Sequence, residues 1–299
     1  MVALDLKEHL KEKKRLVDKF LDDYLPKADV HPNALHEAMR YSLFAGGKRV
    51  RPILCIASCE AVGGDIDTVM PVASAIELIH TYSLIHDDLP AMDNDDYRRG
   101  RPTNHKMYGE AIAILAGDAL LTLAFDLLSD KGLNKRLDSD SLLSIIKRLS
   151  SASGSAGMVG GQAADIQASG KEVNLPEVEY IHIHKTGALI RASVCIGAIS
   201  GYASKDALSA LTRYGEAIGL AFQIADDVLD IEGSKDEIGK DVGSDIAKEK
   251  VTYPSVIGIS ESKKLAKGLI DKSIEAISTL GDKAEPLREI ARYIVERKN

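Results

Sequence analysis

Two stretches, VMPVASAIELIHTYSLIH from Val69 and LIRASVCIGAIS from Leu189, carry helical periodicity with almost no charge. A helix apolar on more than one face cannot sit at a surface; it belongs at the centre of a bundle, ringed by others. The rest of the chain supplies the ring. Ala, Leu, Ile, Glu and Lys dominate, and strand-like alternation between turn signals is hard to find. The pattern predicts helices over 3–24, 33–44, 48–61, 68–89, 109–130, 139–157, 176–201, 205–232, 252–279 and 284–297. Breaks fall at Gly46-Gly47, Gly63-Gly64, Pro90, Gly100 to Pro102, Gly132, Gly170, Gly201 and Gly233. No linker, repeat or low-complexity tract divides them. The expected fold class is all-α, a single large bundle of about ten helices spanning residues 1–299.

Charge and cysteine usage narrow the setting. There are 38 basic against 45 acidic residues, a net charge of −7, which argues against a general nucleic-acid binder. Cys55, Cys59 and Cys195 lack CxxC spacing and any His or Cys partner at ligand distance in sequence, so they read as reduced core thiols. The N-terminus lacks the apolar core of a signal peptide. The most apolar run, AIAILAGDALLTLAF from Ala111, contains Asp118 and reads as too short to span a bilayer. A cytoplasmic protein without stable membrane insertion is expected.

Against this background the acids stand out. Asp226 and Asp230 in FQIADDVLD lie four apart, on one helix face, with Asp227 beside them. Asp87, Asp88 and Asp93 form a DDxxxxD cluster after the Val69 stretch. Both clusters fall near the C-terminal end of an apolar helix, where the dipole disfavours carboxylates and favours bound cations. One such cluster also reads as a solvated helix end. Two point to metal, and all-oxygen sites suit Mg²⁺ or Mn²⁺. On an ideal helix Asp93 lies roughly 120° off the face of Asp87, so it rejoins Asp87 only if Pro90 interrupts the helix. Asp95 and Asp96 read as loop residues, solvated or paired with Arg98 or Arg99.

Cationic groups point to the ligand. GGKRVRP puts Lys48, Arg49 and Arg51 after two glycines at a helix start, a favourable place for an anion. It is not a P-loop, because Ser42 and Arg49 stand where that motif needs Gly and Ser or Thr. Arg98-Arg99 and Lys185-Thr186 add to the set, and Lys240 and Lys250 flank a further loop. His80 lies two turns before Asp87 on the same face. Two acid clusters and several cations suit two phosphate-rich ligands, one clamped through metal and one held directly.

GGKRVRP, DDLPAMD with RRG, HKTGALI and FQIADDVLD, in this order, resemble the signatures of trans-isoprenyl diphosphate synthases, closest to the bacterial type of farnesyl diphosphate synthase. The resemblance covers the chain from about residue 33 to its end. It implies a bundle around a deep central cavity, a homodimer, and head-to-tail condensation of isopentenyl diphosphate with an allylic diphosphate. By the same resemblance, Asp87, Asp93 and Asp226 would hold Mg²⁺, with Asp88, Asp227 and Asp230 supporting. Lys48, Arg51, His80 and Arg99 would hold isopentenyl diphosphate. Arg98, Lys185, Thr186, Gln223 and Lys240 would hold the allylic diphosphate, and Lys250 would help close the site. Asp87, Asp93, Arg98, Lys185, Asp226 and Lys240 would carry the chemistry. Ionisation leaves a carbocation and diphosphate, whose charge the metal and the cations stabilise.

In that family, product length depends on residues just before the first acid motif, here Tyr82 and Ser83. Tyr82 lies five residues before Asp87, about 7.5 Å deeper along the helix. An aromatic floor there implies a C15 product; the alternative is C20. Three rivals fit less well. A terpene cyclase would carry an Asn/Ser/Glu motif in place of the second cluster. An HD-type phosphohydrolase, echoed by His86-Asp87, would need further His ligands. A non-catalytic subunit of a heteromeric synthase would have lost acids from one motif.

Overall fold

The computed structural model describes residues 4–130, 132, 135–171, 173–232 and 252–296. In chain order the helices begin with α1 (Leu6–Tyr24), α2 (Asn33–Leu43), α3 (Val50–Ala61) and α4 (Ile66–Asp87). Two short strands follow, β1 (Tyr97–Arg98) and β2 (Arg101–Pro102), then α5 (Asn104–Tyr108), α6 (Glu110–Ser129), α7 (Ser139–Ser153) and α8 (Met158–Ala168). Next comes α9 (Leu175–His182), continued by a π turn (Ile183–Gly187) into α10 (Ala188–Ser200). The chain ends with α11 (Lys205–Glu232), α12 (Tyr253–Ile257), α13 (Ile259–Ala276) and α14 (Glu285–Glu296).

The two charge-poor stretches become α4 and α10, and both lie inside. Every residue of α10 except Arg191 and Ile199 is buried. It packs against α3, α4, α7 and α11, while α4 packs in turn against α3 and α6. Each fully buried Leu or Ile contributes about 1.5–3 kcal/mol, so this double layer dominates the hydrophobic stabilisation. Several helix starts carry a side-chain cap. Asp65 accepts from Thr68 N at α4 and Asp138 from Ser141 N at α7, and Asn174 and Glu177 form a capping box at α9.

A charged pair, Arg49 and Glu77, enters this core. Arg49, at the N-cap of α3 with a left-handed φ of 54°, turns its guanidinium inward. It meets Glu77 Oε1 of α4 at 2.8 Å and Asp18 Oδ1 of α1 at 2.8 Å, and donates to Leu43 O. One side chain thus ties the start of α3 to three other helices, α1, α2 and α4.

All ten expected helical segments contain helix, with departures inside them. The 139–157 segment stops at Ser153 before Gly154, and Gly258 splits 252–279. Helix α8 was not expected, because two adjacent glycines, Gly160 and Gly161, weaken its helical signal. Nor were the strands, which form a two-residue ribbon closed at Arg99 and Gly100, with φ 54° and 74°. The length argument against a bilayer span is corrected too: α6 is 20 residues long and passes both ends of the quoted run, and both it and α4 are long and apolar enough to cross a membrane. In α4 that apolar surface is mostly buried in the protein; in α6 much of it is not.

Candidate active site

Helix α4 ends at Asp87 because Leu89 precedes Pro90, which disfavours further helix. The chain folds back. Asp93 N donates to Asp87 O at 2.8 Å, so the two aspartates adjoin as the interrupted spacing required. Asp87 and Asp93 are half-buried, whereas Asp88, the C-cap, is buried. Asp88 is held by Arg98, with Nε 2.8 and 3.0 Å from its two oxygens and Nη2 2.7 Å from Oδ1. Its role is therefore that of an anchor rather than a ligand facing outward. Asp96 pairs with Lys106 at 2.7 Å, not with either arginine of the pair.

The ribbon separates Arg98 from Arg99. While Arg98 turns to Asp88, Arg99 Nη1 donates to Gly46 O at 2.5 Å. Its guanidinium lies flat on Gly47, where a methyl group would meet Cζ at 2.6 Å. Arg51 Nη1 lies 3.4 Å from His80 Nε2, and among the described residues Arg51 Nε is buried without a hydrogen-bond partner. Buried polar groups are normally paired, so this nitrogen has a hydrogen bond to give that an anion can accept. Burial pulls the His80 pKa well below its ordinary value, and Arg51, Arg99, Arg98 and Arg49 pull the same way, so the imidazole is neutral. Burial also lowers that of Arg51, against the raising charges of Glu77 and Asp226. Asp226 is thus within electrostatic reach of this basic corner. Lys48 stands exposed at its edge.

The second motif is divided like the first. Asp226 is half-buried, while Asp227 and Asp230 are buried. Both Asp227 oxygens are engaged: Gln223 Nε2 donates to Oδ1 at 2.9 Å, Tyr253 N donates to Oδ2 at 2.9 Å, and His182 Nε2 lies 3.1 Å from Oδ2. His182 Nδ1 faces Val178 O at 2.8 Å. Asp227 therefore fastens α9 and α12 to α11. Thr186 Oγ1 donates to Gln223 Oε1 at 2.8 Å, and Lys185 Nζ contacts Asp165 of α8 at 2.6 Å. The π turn carries both residues, a register break of the kind found at functional sites. His182 and Asp165 had no sequence signal, because their partners lie 45 and 20 residues away. Lys240 and Lys250 lie outside the described residues.

The space beside Asp88, Arg98, Arg99 and Thr81 is a cleft of only about 20 Å³. The two arginines, folded onto Asp88 and the glycine turn, fill what would otherwise open. A larger groove of about 930 Å³ runs along the outer side of the π turn, lined by Ile183, His184, Arg191 and Lys272. None of the aspartates of the two motifs lines it. Among the described residues, no three His, Cys, Asp or Glu side chains converge as a closed metal cage. The donors are carboxylate oxygens only, which fits Mg²⁺ completed by water and ligand oxygens.

The polyprenyl synthetase family model matches residues 32–290, and the chain belongs to that family. Its activity is that of a prenyltransferase, a trans-isoprenyl diphosphate synthase. A geranylgeranyl diphosphate synthase of Cyanophora paradoxa is 47% identical over 296 residues, covering 99% of this chain and 97% of the relative. A farnesyl diphosphate synthase of Geobacillus stearothermophilus is 50% identical over 264 residues, 88% of each chain. The crystal structure of an FPP/GFPP synthase from Zymomonas mobilis superposes with a TM-score of 0.86 at 41% identity, covering 97% of this chain and 99% of that one. The relatives divide between product lengths.

Proposed function

We propose that the chain is a Mg²⁺-dependent farnesyl diphosphate synthase, joining isopentenyl diphosphate to dimethylallyl and then geranyl diphosphate. The observation that carries this reading is the division of the cations. Arg51, Arg99 and neutral His80 gather at the Gly46–Gly47 turn, with the buried Arg51 Nε among them. Thr186 bonds Gln223, which precedes Asp226 by three residues on α11, and Lys185 follows on the same π turn, paired with Asp165. Two anionic ligands thus have two seats, with half-buried Asp87, Asp93 and Asp226 as the metal-holding carboxylates. Bound Mg²⁺ would offset charge on the departing diphosphate. The chain's own part is to orient that group through Lys185, Thr186, Gln223 and Arg98, and to hold the isopentenyl diphosphate through Lys48, Arg51, His80 and Arg99. Apolar walls keep water from the cation. Tyr82, 6% exposed, supports a C15 limit; the Cyanophora relative favours C20 as the second reading. Three buried free thiols suit a reducing cytoplasm.

The test is to incubate the protein with Mg²⁺, isopentenyl diphosphate and dimethylallyl, geranyl or farnesyl diphosphate in turn. Farnesol after dephosphorylation is expected from the first two, with little extension of the third. Dominant C20 product would replace the C15 reading, and no product would remove the assignment.

The glycine turn gives a sharper expectation. Gly47 has φ 108°, and an alanine methyl would meet the Arg99 guanidinium. Left-handed strain of about 1–2 kcal/mol adds to displacement of Arg99. Gly47→Ala should raise KM for isopentenyl diphosphate about tenfold, equal to about 1.4 kcal/mol, and leave KM for the allylic substrate nearly unchanged. Equal rises in both would count against the assigned seat.

The homodimer reading rests on α6. Ile114 and Leu115 are 43% and 51% exposed, and Ala111 and Thr122 extend the same exposed face. A second copy of this helix would cover it. Leu115→Lys should convert a dimer to a monomer in sedimentation velocity. A wild type that already sediments as a monomer would end the idea.

A further inference from the structure

His86 stands between Asp87 and the chain-length residue Tyr82, with no role in the reaction described above. It follows Tyr82 by four residues on α4, so the two side chains share a face. Their rings meet edge to face, with centroids 5.7 Å apart and planes at 75°. On its other side His86 is fastened to α6. Its Nε2 lies 3.0 Å from the carbonyl oxygen of Ile114. A carbonyl can only accept, so Nε2 carries the proton and donates.

The seat for that ring is Gly117. A methyl group at 117 would lie 2.1 Å from His86 Nε2, 2.5 Å from Cδ2 and 2.9 Å from Cε1. Contacts that short do not occur, so any side chain there would drive the imidazole off α6. One neighbour that can yield to it is the Tyr82 ring. Asp118 Oδ1, at 3.9 Å from Nε2, is too far for a hydrogen bond. The ring is thus pinned by the Ile114 carbonyl and the bare Gly117 backbone on one side, and closed by the Tyr82 ring on the other.

We infer that His86, seated on Gly117, is the positioning residue that fixes the Tyr82 ring and with it the depth of the product pocket. The inference rests on the chain-length reading of Tyr82. Remove the imidazole, and Tyr82 gains room to turn toward α6. Push the imidazole forward, and Tyr82 is forced into the pocket. Product length is then set by three residues on two helices.

The experiment reads the chain-length profile, by chromatography of dephosphorylated products made from dimethylallyl diphosphate and excess isopentenyl diphosphate. Tyr82→Ala should lengthen the main product, and His86→Ala should raise the longer-chain share at least fivefold. Gly117→Ala should shift the profile toward shorter chains. The double variant His86→Ala/Gly117→Ala should return to the His86→Ala profile, since the clash no longer exists; such non-additivity marks direct coupling. A purely structural His86 would lower turnover or stability and leave the profile unchanged. If Tyr82→Ala lengthens the product and His86→Ala does not, the positioning role fails and the chain-length reading survives. If Tyr82→Ala changes nothing, both fall. Should Gly117→Ala fail to fold, the single His86→Ala profile decides.

Discussion

Asp87→Ala and Asp226→Ala should each cost at least ~10²-fold in turnover, the scale on which removal of one electrostatic stabiliser acts. These two carboxylates come from different helices and are half-buried, Asp87 as the last residue of α4 and Asp226 within α11 beside Asp227 and Asp230. The helix dipole at the end of α4 and the neighbouring acids on α11 disfavour their negative charge unless a cation answers it. Removing either leaves the departing diphosphate with less compensation when its charge grows. The loss should appear in turnover and persist when Mg²⁺ is raised, because extra metal cannot restore a missing ligand. The neighbouring residue provides the contrast. Asp227 has both oxygens engaged by Gln223, His182 and the Tyr253 amide, so Asp227→Asn should leave the Mg²⁺ concentration for half-maximal rate near that of the wild type. A near-normal rate for Asp87→Ala in a Mg²⁺ titration would overturn the metal assignment.

Glu77→Ala is expected to produce the largest loss of stability. The Arg49 and Glu77 side chains are 1% and 2% exposed, and they face each other at 2.8 Å. Arg49 retains Asp18 and the Leu43 carbonyl after the change. A buried guanidinium that loses one carboxylate still costs about 3–5 kcal/mol, and the surviving partners place the expectation near the lower end. The loss should be read from the midpoint of chemical denaturation, at unchanged slope. Arg49→Met/Glu77→Leu should recover most of it, since two apolar side chains leave no charge to compensate. A Glu77→Ala midpoint equal to the wild type would mean that Asp18 alone satisfies Arg49.

What could be read in the sequence, and what could not, follows from the range of the interaction. The helices were legible because a 3.6-residue period is written locally. The return of Asp93 to Asp87 was legible too, since Pro90 forces the break and only Ala91 and Met92 separate it from Asp93. The fates of Arg98 and Arg99 were not. Adjacent residues of one type became an anchor for Asp88 and a lid on Gly47 because the ribbon turns between them. Likewise, Asp226 and Asp227 look equivalent in FQIADDVLD. Which one is locked depends on His182 and Tyr253, brought there by packing.

The π turn at Ile183–Gly187 has a consequence for how such a chain can change. A π turn holds more residues than an α turn, and each helical residue advances the face by roughly 100°. The surplus residue is taken up in the turn itself, so the helices on either side keep their faces. Losing any one of the five would leave a regular helix with Arg191 still outward and its apolar neighbours still inward. The change would fall on the turn, where Lys185 and Thr186 reach Asp165 and Gln223. The segment works as slack in the chain: its length can alter without turning the central helix, at the expense of the side chains it carries.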